Sequence, residues 1–347
     1  MPNGFNNSTR QNIRNYTTLP YNPAAPVSVD IARVGLLAKI YLRFKGSLTA
    51  QHASKTTFTP AQTAPYNLIQ RVQANLNSGV SIWNTSGFGA YLQNVTNKLG
   101  YNLDQDGASS EVYAFGNAVS AAGAVNPLAF SLCLNTMIND KNPIGLLMLQ
   151  NDATALTLQI EAAAAAALMT DTDVTTTLTG SWDIATEIFG IPIDPADYPP
   201  LNRVHQVLEQ SFPINSVGDN RQVLPRGVTY RRLINSLVLN GALSDAAETM
   251  RLVYNLSSTP YQISGGLAKV IQRERYGRDL PAGSFVWDMF YQGFPNVGAD
   301  MRDLIDSSQI SDLSQFMIIP QGTLLGANNN MVNMVFDQIL NVAPVGR

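Results

Sequence analysis

Hydrophobic and polar residues alternate with a period of two along most of this chain. In "GLLAKIYLRFKGSL", Leu36, Ala38, Ile40, Leu42 and Phe44 share one face, and Leu37, Lys39, Tyr41, Arg43 and Lys45 share the other. Successive strand residues point to opposite sides, so this pattern predicts a long, half-buried strand. "NPLAFSLCLNTMI" repeats it, with Leu128, Phe130, Leu132, Leu134, Thr136 and Ile138 opposed to Ala129, Ser131, Cys133, Asn135 and Met137. Two segments, 146–149 and 155–160, flank the turn signal "QND". "TTTLTGSWDIATEIF", "NRVHQVLEQSF", "VTYRRLINSLVLNG" and "ETMRLVYNLSS" continue in the same manner.

Helix is the minority. "SGFGAYLQNVTNKLG" predicts one, with Ser86 as N-cap, Tyr91, Leu92, Val95 and Leu99 on a stripe and Gly100 as the stop. "EAAAAAALM" has the highest helix propensity in the chain but is too short to stand without packing. "DMRDLIDSSQISDLSQF" predicts a further short helix.

Four prolines, Pro192, Pro195, Pro199 and Pro200, interrupt ladder pairing between Gly190 and Asn202. The expected division is an N-terminal arm over 1–27, a first strand-rich unit over 28–192, a proline-rich linker over 193–202 and a second unit over 203–347. "LIQRVQAN" (68–75) and "LINSLVLN" (233–240) offer a faint internal repeat across the divider. The arm carries Arg10 and Arg14 and no acid before Asp30, and its Pro, Asn and Thr read as extended chain.

Among 347 residues, 45% are hydrophobic and only 14% charged, against about 25% in ordinary soluble proteins. Gly, Pro, Asn, Ser and Thr fill the gap, which suits short strands whose surface ends against other protein. A net charge of −3 supplies no general positive field for nucleic acid. One cysteine, Cys133, excludes an intrachain disulfide, and with two histidines, His52 and His205, it leaves little for a metal site. No apolar run approaches the ~18 residues of a membrane span, and the N-terminus has no apolar leader.

The residue patterns that reactions need are missing. There is no G-x-S-x-G, no phosphate-cradling loop and no H-E-x-x-H, and "GFGAYL" lacks the third glycine of a dinucleotide fingerprint. "QRERYGRDLP" interleaves Arg273, Arg275 and Arg278 with Glu274 and Asp279, a salt-bridged surface or subunit contact. Trp287 in "SFVWDMFYQGF" is a core or interface aromatic, and Arg71 is an ion-pair partner within a wall or between subunits. No catalytic, cofactor-binding or metal residue is assigned. A carbohydrate-binding β-sandwich that uses Trp83 and Trp287 at its surface is the alternative.

The run Val34–Leu48, then Asn67–Val72, then the aromatic step Thr85–Phe88 into a helix resembles the major capsid proteins of tectiviruses. The paired strands around "NPLAFSLCLNTMIND" and "LQNDATALTLQIEA", and "DLPAGSFVWDMFYQG" with "LLGANNNMVNMVFDQI" near the end, look similar to that family in the same order. The resemblance implies an all-β double jelly roll, two eight-stranded rolls with a few short helices and an extended N-terminal arm. It implies a non-enzymatic shell subunit, made in the host cytoplasm, that forms pseudo-hexagonal homotrimers in a virion around a lipid membrane and double-stranded DNA. Its partners would be other copies of itself, vertex and minor capsid proteins, and the membrane, met at the inner face by Arg10 and Arg14. No cofactor and no sequence-specific nucleic-acid binding is implied.

Overall fold

The computed structural model describes residues 9–77, 79–97, 113–138, 144–151, 153–194, 197–199, 201–289, 304–326 and 329–341. The chain divides into two compact units near His205–Gln206. Among the described residues, sixteen strands are five residues or longer. The first eight are β1 (Gln11–Pro20), β2 (Val27–Ile31), β3 (Leu36–Gln51), β4 (Ile69–Leu76), β5 (Val80–Thr85), β6 (Ala124–Asn135), β7 (Leu156–Ala162) and β8 (Thr175–Phe189). The next eight are β9 (Arg203–Pro213), β10 (Gly218–Val223), β11 (Thr229–Leu239), β12 (Thr249–Tyr254), β13 (Ser258–Ser264), β14 (Ser284–Asp288), β15 (Leu313–Ile319) and β16 (Met331–Asn341). Helix α1 (Gly87–Thr96) follows β5, and α2 (Gly265–Tyr276) follows β13.

The first roll has one sheet in the order β1-β8-β3-β6 and another in the order β2-β7-β4-β5. The second has β9-β16-β11-β14 and β10-β15-β12-β13, the same order with eight added to each number. Each set of eight strands is therefore a jelly roll, and the chain is a double jelly roll.

Period-two patterning sets which face is buried. Along β3, Ile40, Leu42, Phe44, Leu48 and Ala50 are all essentially inaccessible, whereas Tyr41 and Arg43 are half-buried and Lys45 is exposed. In the first core Phe44 lies 4.6 Å from Trp182 and 5.7 Å from Phe130, and Tyr66 stacks on Tyr91 at 4.1 Å. Each such aromatic pair adds about 0.5–1.5 kcal/mol beyond its buried area.

Several expectations are corrected. Residues 11–20, expected in an arm apart from the packed units, form β1, paired in register along β8 from Gln11↔Phe189 to Pro20↔Ser181. Polar composition disguised it because an edge strand with both faces largely wet needs few apolar residues. The first roll thus begins before Ser28, while residues 1–8 lie outside the described residues. The alanine tract is not an α-helix: β7 runs through Ala162, and Ala165–Leu168 make one 3-10 turn. In "DMRDLIDSSQISDLSQF", Ile305–Asp306 pair with β11, Ser307–Gln309 make a 3-10 turn, and β15 starts at Leu313; its first residues and the expected stop at Gly100 lie outside the described residues. "LIQRVQAN" belongs to β4 and "LINSLVLN" to β11, the fourth and third strands of their rolls, so that repeat relates strands that are not equivalent.

The repeat that exists lies elsewhere. Ser86 caps α1 by accepting the Gly89 N–H at 3.0 Å, and Ser264 caps α2 by accepting the Leu267 N–H at 3.4 Å. A glycine follows each cap because a Cβ on Gly87 would collide with the Tyr66 carbonyl, and one on Gly265 with the Ala247 carbonyl. Tyr66 and Ala247 both stand just ahead of the fourth strand of their roll.

Candidate assembly surface

The third and eighth strands of each roll carry a cross-strand ion pair at corresponding places. Lys39 on β3 is in register with Glu187 on β8, Nζ to Oε2 at 3.5 Å, and both side chains are buried. The Tyr41 hydroxyl donates to Glu187 Oε2 at 2.7 Å and the Gln11 amide to Oε1 at 2.5 Å. In the second roll Arg232 on β11 is in register with Asp337 on β16 and with Asp288 on β14. Arg231 Nη1 meets Asp337 Oδ1 at 2.9 Å, Arg232 Nη1 meets Oδ2 at 3.4 Å, and Arg232 Nε meets Asp288 Oδ1 at 3.2 Å. The Tyr276 hydroxyl, from α2, donates to Asp288 Oδ2 at 2.8 Å. Burial pulls Arg231 down to about 10, still far above neutrality, and burial beside Asp288 pushes the Tyr276 phenol well above its ordinary value. Two guanidinium groups against two carboxylates leave this cluster neutral overall, a structural charge network with no reactive group.

At the surface of the first roll, loops 52–59 and 169–174 are clasped together. Lys55 Nζ lies 2.6 Å from Asp171 Oδ1 and 2.5 Å from Asp173 Oδ1, and His52 Nε2 lies 3.3 Å from Asp173 Oδ2. His52 Nδ1 accepts the backbone N–H groups of Ser54 and Lys55. Hydrogen bonding from Lys55 holds both carboxyl groups below their ordinary value, and they raise Lys55 in turn.

The predicted residues are dispersed. Arg10 and Arg14 are exposed, Arg14 on the outer strand β1. Arg71 on β4 is also exposed; its Nε donates to Asn84 Oδ1 at 2.7 Å, and it stands in register with Glu161. Arg273 is exposed and lies 3.4 Å from Asp279, Arg275 donates to the Asp288 carbonyl at 2.9 Å, and Arg278 is half-buried in the turn after α2. Arg273, Arg275 and Arg278 thus share α2 and its C-terminal turn.

Trp287, expected in a core or at an interface, lies in a core. It is buried in the second core, and its Nε1 donates to Gln315 Oε1 at 2.9 Å. Trp83 is buried too, with Nε1 donating to Thr85 Oγ1. The surface tryptophans on which a sugar-binding reading relied are therefore inside. Helix α2 escaped the sequence reading, although Ser264 as N-cap and Gly277 as a left-handed C-terminal stop were visible signals. Among the described residues no three His, Cys, Asp or Glu side chains are grouped to hold a metal, and no helix is long and apolar enough to cross a membrane.

No family model matches the sequence, and no curated protein matches it. Solved structures are similar along nearly the whole chain. The STIV MCP, from Sulfolobus Turreted Icosahedral Virus, superposes with a TM-score of 0.72 at 14% identity, covering 96% of this chain and 97% of that one. The major capsid protein of bacteriophage PM2 gives 0.59 at 12% identity, over 97% and 100%. The chain of the PBCV-1 virus capsid gives 0.59 at 12% identity, over 96% and 95%. The fold is that of double jelly-roll capsid proteins. At such identity the fold is shared while few individual residues are.

Proposed function

We propose that this protein is the major capsid protein of an icosahedral virus, a structural and non-enzymatic subunit that assembles as homotrimers. The observation that carries the proposal is two rolls of identical strand order in one chain, matched end to end by capsid subunits. Two similar rolls in each of three chains give six similar lobes, so a trimer can occupy a hexagonal place in a shell. The low charge fraction and the Asn, Thr and Ser surface fit a subunit that buries more than about 2,000 Å² against its neighbours.

The finer reading is a shell of the tectivirus type, around a membrane and double-stranded DNA, with vertex and minor proteins as further partners. Arg10 and Arg14, exposed near the start of β1, suit anionic lipid head groups at about 1 kcal/mol each. Particles carrying Arg10→Glu with Arg14→Glu should lose membrane; normal lipid content in them would remove the arginines from this role.

Light scattering during gel filtration tests the main proposal. Three chains of 37.6 kDa should elute as a species of about 113 kDa that holds together until it unfolds. A monomer that stays monomeric at high concentration would overturn the capsomer reading.

A further inference from the structure

Of the sixteen strands, β1 and β13 are the two in which no described residue is buried. Both are edge strands: among the described residues β1 pairs with β8 alone, and β13 with β12 alone. Their counterparts in the other roll are covered within a single chain. Ile82, Trp83 and Thr85 of β5 are buried, as are His205, Gln206 and Val207 of β9. The chain thus leaves bare one first strand, in the first roll, and one fifth strand, in the second. Ile13 on β1 is 63% exposed and Tyr261 on β13 is 39% exposed.

The backbone shows which groups these edges offer. The Gly190 N–H donates to the Arg10 carbonyl at 2.9 Å, and the Tyr21 N–H to the Gly180 carbonyl at 3.0 Å. Bonded and unbonded positions alternate along an antiparallel ladder. With the bulge between Asn15 and Thr17, this turns the N–H and C=O groups of Gln11, Ile13 and Thr18 away from β8. On β13 the Gly265 N–H donates to the Glu248 carbonyl at 3.0 Å, so the N–H groups of Gln262 and Ser264 turn away from β12. Pro260 stands at another outward position and offers only its carbonyl, which ends the pairing there. Edge strands that stay single are commonly guarded by charges. β13 carries none, and β1 carries Arg14 alone.

We infer that β1 of one copy pairs edge to edge with β13 of a second copy, so that main-chain hydrogen bonds carry a sheet across the subunit boundary. The inference rests on the capsomer reading and names the contact that builds it. Pairing either strand with its own copy would give a twofold dimer. Pairing β1 with β13 joins different parts of the chain, and such head-to-tail contacts close into rings. The outward N–H and C=O groups of Gln11 and Ile13 then meet those of Gln262, the Ser264 N–H and the Pro260 carbonyl. Backbone groups that water alone would otherwise satisfy supply the contact, and it needs no opposed charges.

The test uses the full chain and its native mass across a dilution series. Ile13→Pro and Gln262→Pro each delete one outward N–H and keep those that bond β8 and β12. Each should weaken the trimer at least tenfold with the far-ultraviolet circular dichroism unchanged. Ile13→Thr and Gln262→Thr change the same side chains, keep the N–H groups and should remain trimers; equal weakening by them would make the contact one of side chains and overturn the strand pairing. Hydrogen exchange of the wild-type trimer, resolved to single amides, reads the pairing without a mutation. A lone chain bonds only alternate amides of β1, those of Asn12 and Arg14, whereas the trimer should protect Gln11, Ile13 and Gln262 as well. If the wild-type chain is a trimer in which these three exchange freely and the Pro variants hold together, the contact lies elsewhere and the capsomer reading stands. If the wild-type chain is not a trimer, the capsomer reading falls and this inference falls with it.

Discussion

The two rolls share a strand order and differ in what fills them. Between the sheets of the first roll, Phe44, Phe130, Trp182 and Tyr66 make an aromatic cluster. Between those of the second, Gln315 Nε2 donates to Asn235 Oδ1 at 2.8 Å and reaches Gln222 at 3.4 Å, while Gln315 Oε1 accepts from Trp287. The position of Leu42 on β3, three residues after Lys39, corresponds to Asn235 on β11, three after Arg232. One topology therefore accepts a buried amide network within a core whose other side chains, such as Leu233, Leu252, Met317 and Phe336, are apolar. Pleat, register and turns specify the roll, and a buried amide is tolerated where every neighbour returns a hydrogen bond.

The largest expected effect tests the charged half of that comparison. Asp337→Ala leaves Arg231 and Arg232 buried without their shared carboxylate and should cost about 3–5 kcal/mol. Hydrogen exchange should then accelerate in β11 and β16 while β3 and β8 stay protected; equal loss in both rolls would mean that they unfold as one unit. Next comes the feature the rolls share. Gly87→Ala and Gly265→Ala each drive a methyl into a carbonyl and should each cost about 1–3 kcal/mol, one per roll. A large difference between them in denaturant unfolding would show that the two helix starts are not equivalent.

A smaller effect separates the cores. Among the described residues the Trp182 indole N–H finds no acceptor, whereas that of Trp287 is met by Gln315. Trp287→Phe strands part of the Gln315 network and should cost about 1–3 kcal/mol more than Trp182→Phe, which removes an unpaired donor. Equal losses would make volume alone the determinant. The smallest effect concerns the Lys55 clasp of the first roll. Asp171 and Asp173 sit below their ordinary value of 3.8, so their contribution is complete above about pH 4 and is lost as the pH falls through their lowered values. Lys55→Met should abolish that acid-dependent step in proteolysis of loops 52–59 and 169–174. An unchanged acid profile would assign the step to other carboxylates.

Strands were legible in the sequence because their signal is local. The alternation from Ile40 to Lys45 is the burial pattern the fold displays, whereas Leu36–Ile40 and all of 128–134 but Ser131 are buried on both faces. The start of α1 was equally legible, since Ser86 and Gly87 act within one turn. Of the candidate surface, the cluster Arg273, Arg275 and Arg278 was visible as composition, but the helix that presents it was not recognised.

What the sequence by itself determined is most of the long strands, the proline-marked break near 190–202 and the poverty of reactive groups. Each depends on residues a few positions apart. Tertiary structure alone decided that β1 is a paired strand, that Trp83 and Trp287 are core, and that Arg231 and Arg232 are neutralised inside a sheet. Those facts depend on partners about 100 or more residues away for Arg232 with Asp337 and for Gln11 with Phe189. Pairing between distant strands leaves no periodic trace in either strand, so the same "YRRL" reads as a wet strand until β16 is laid beside it.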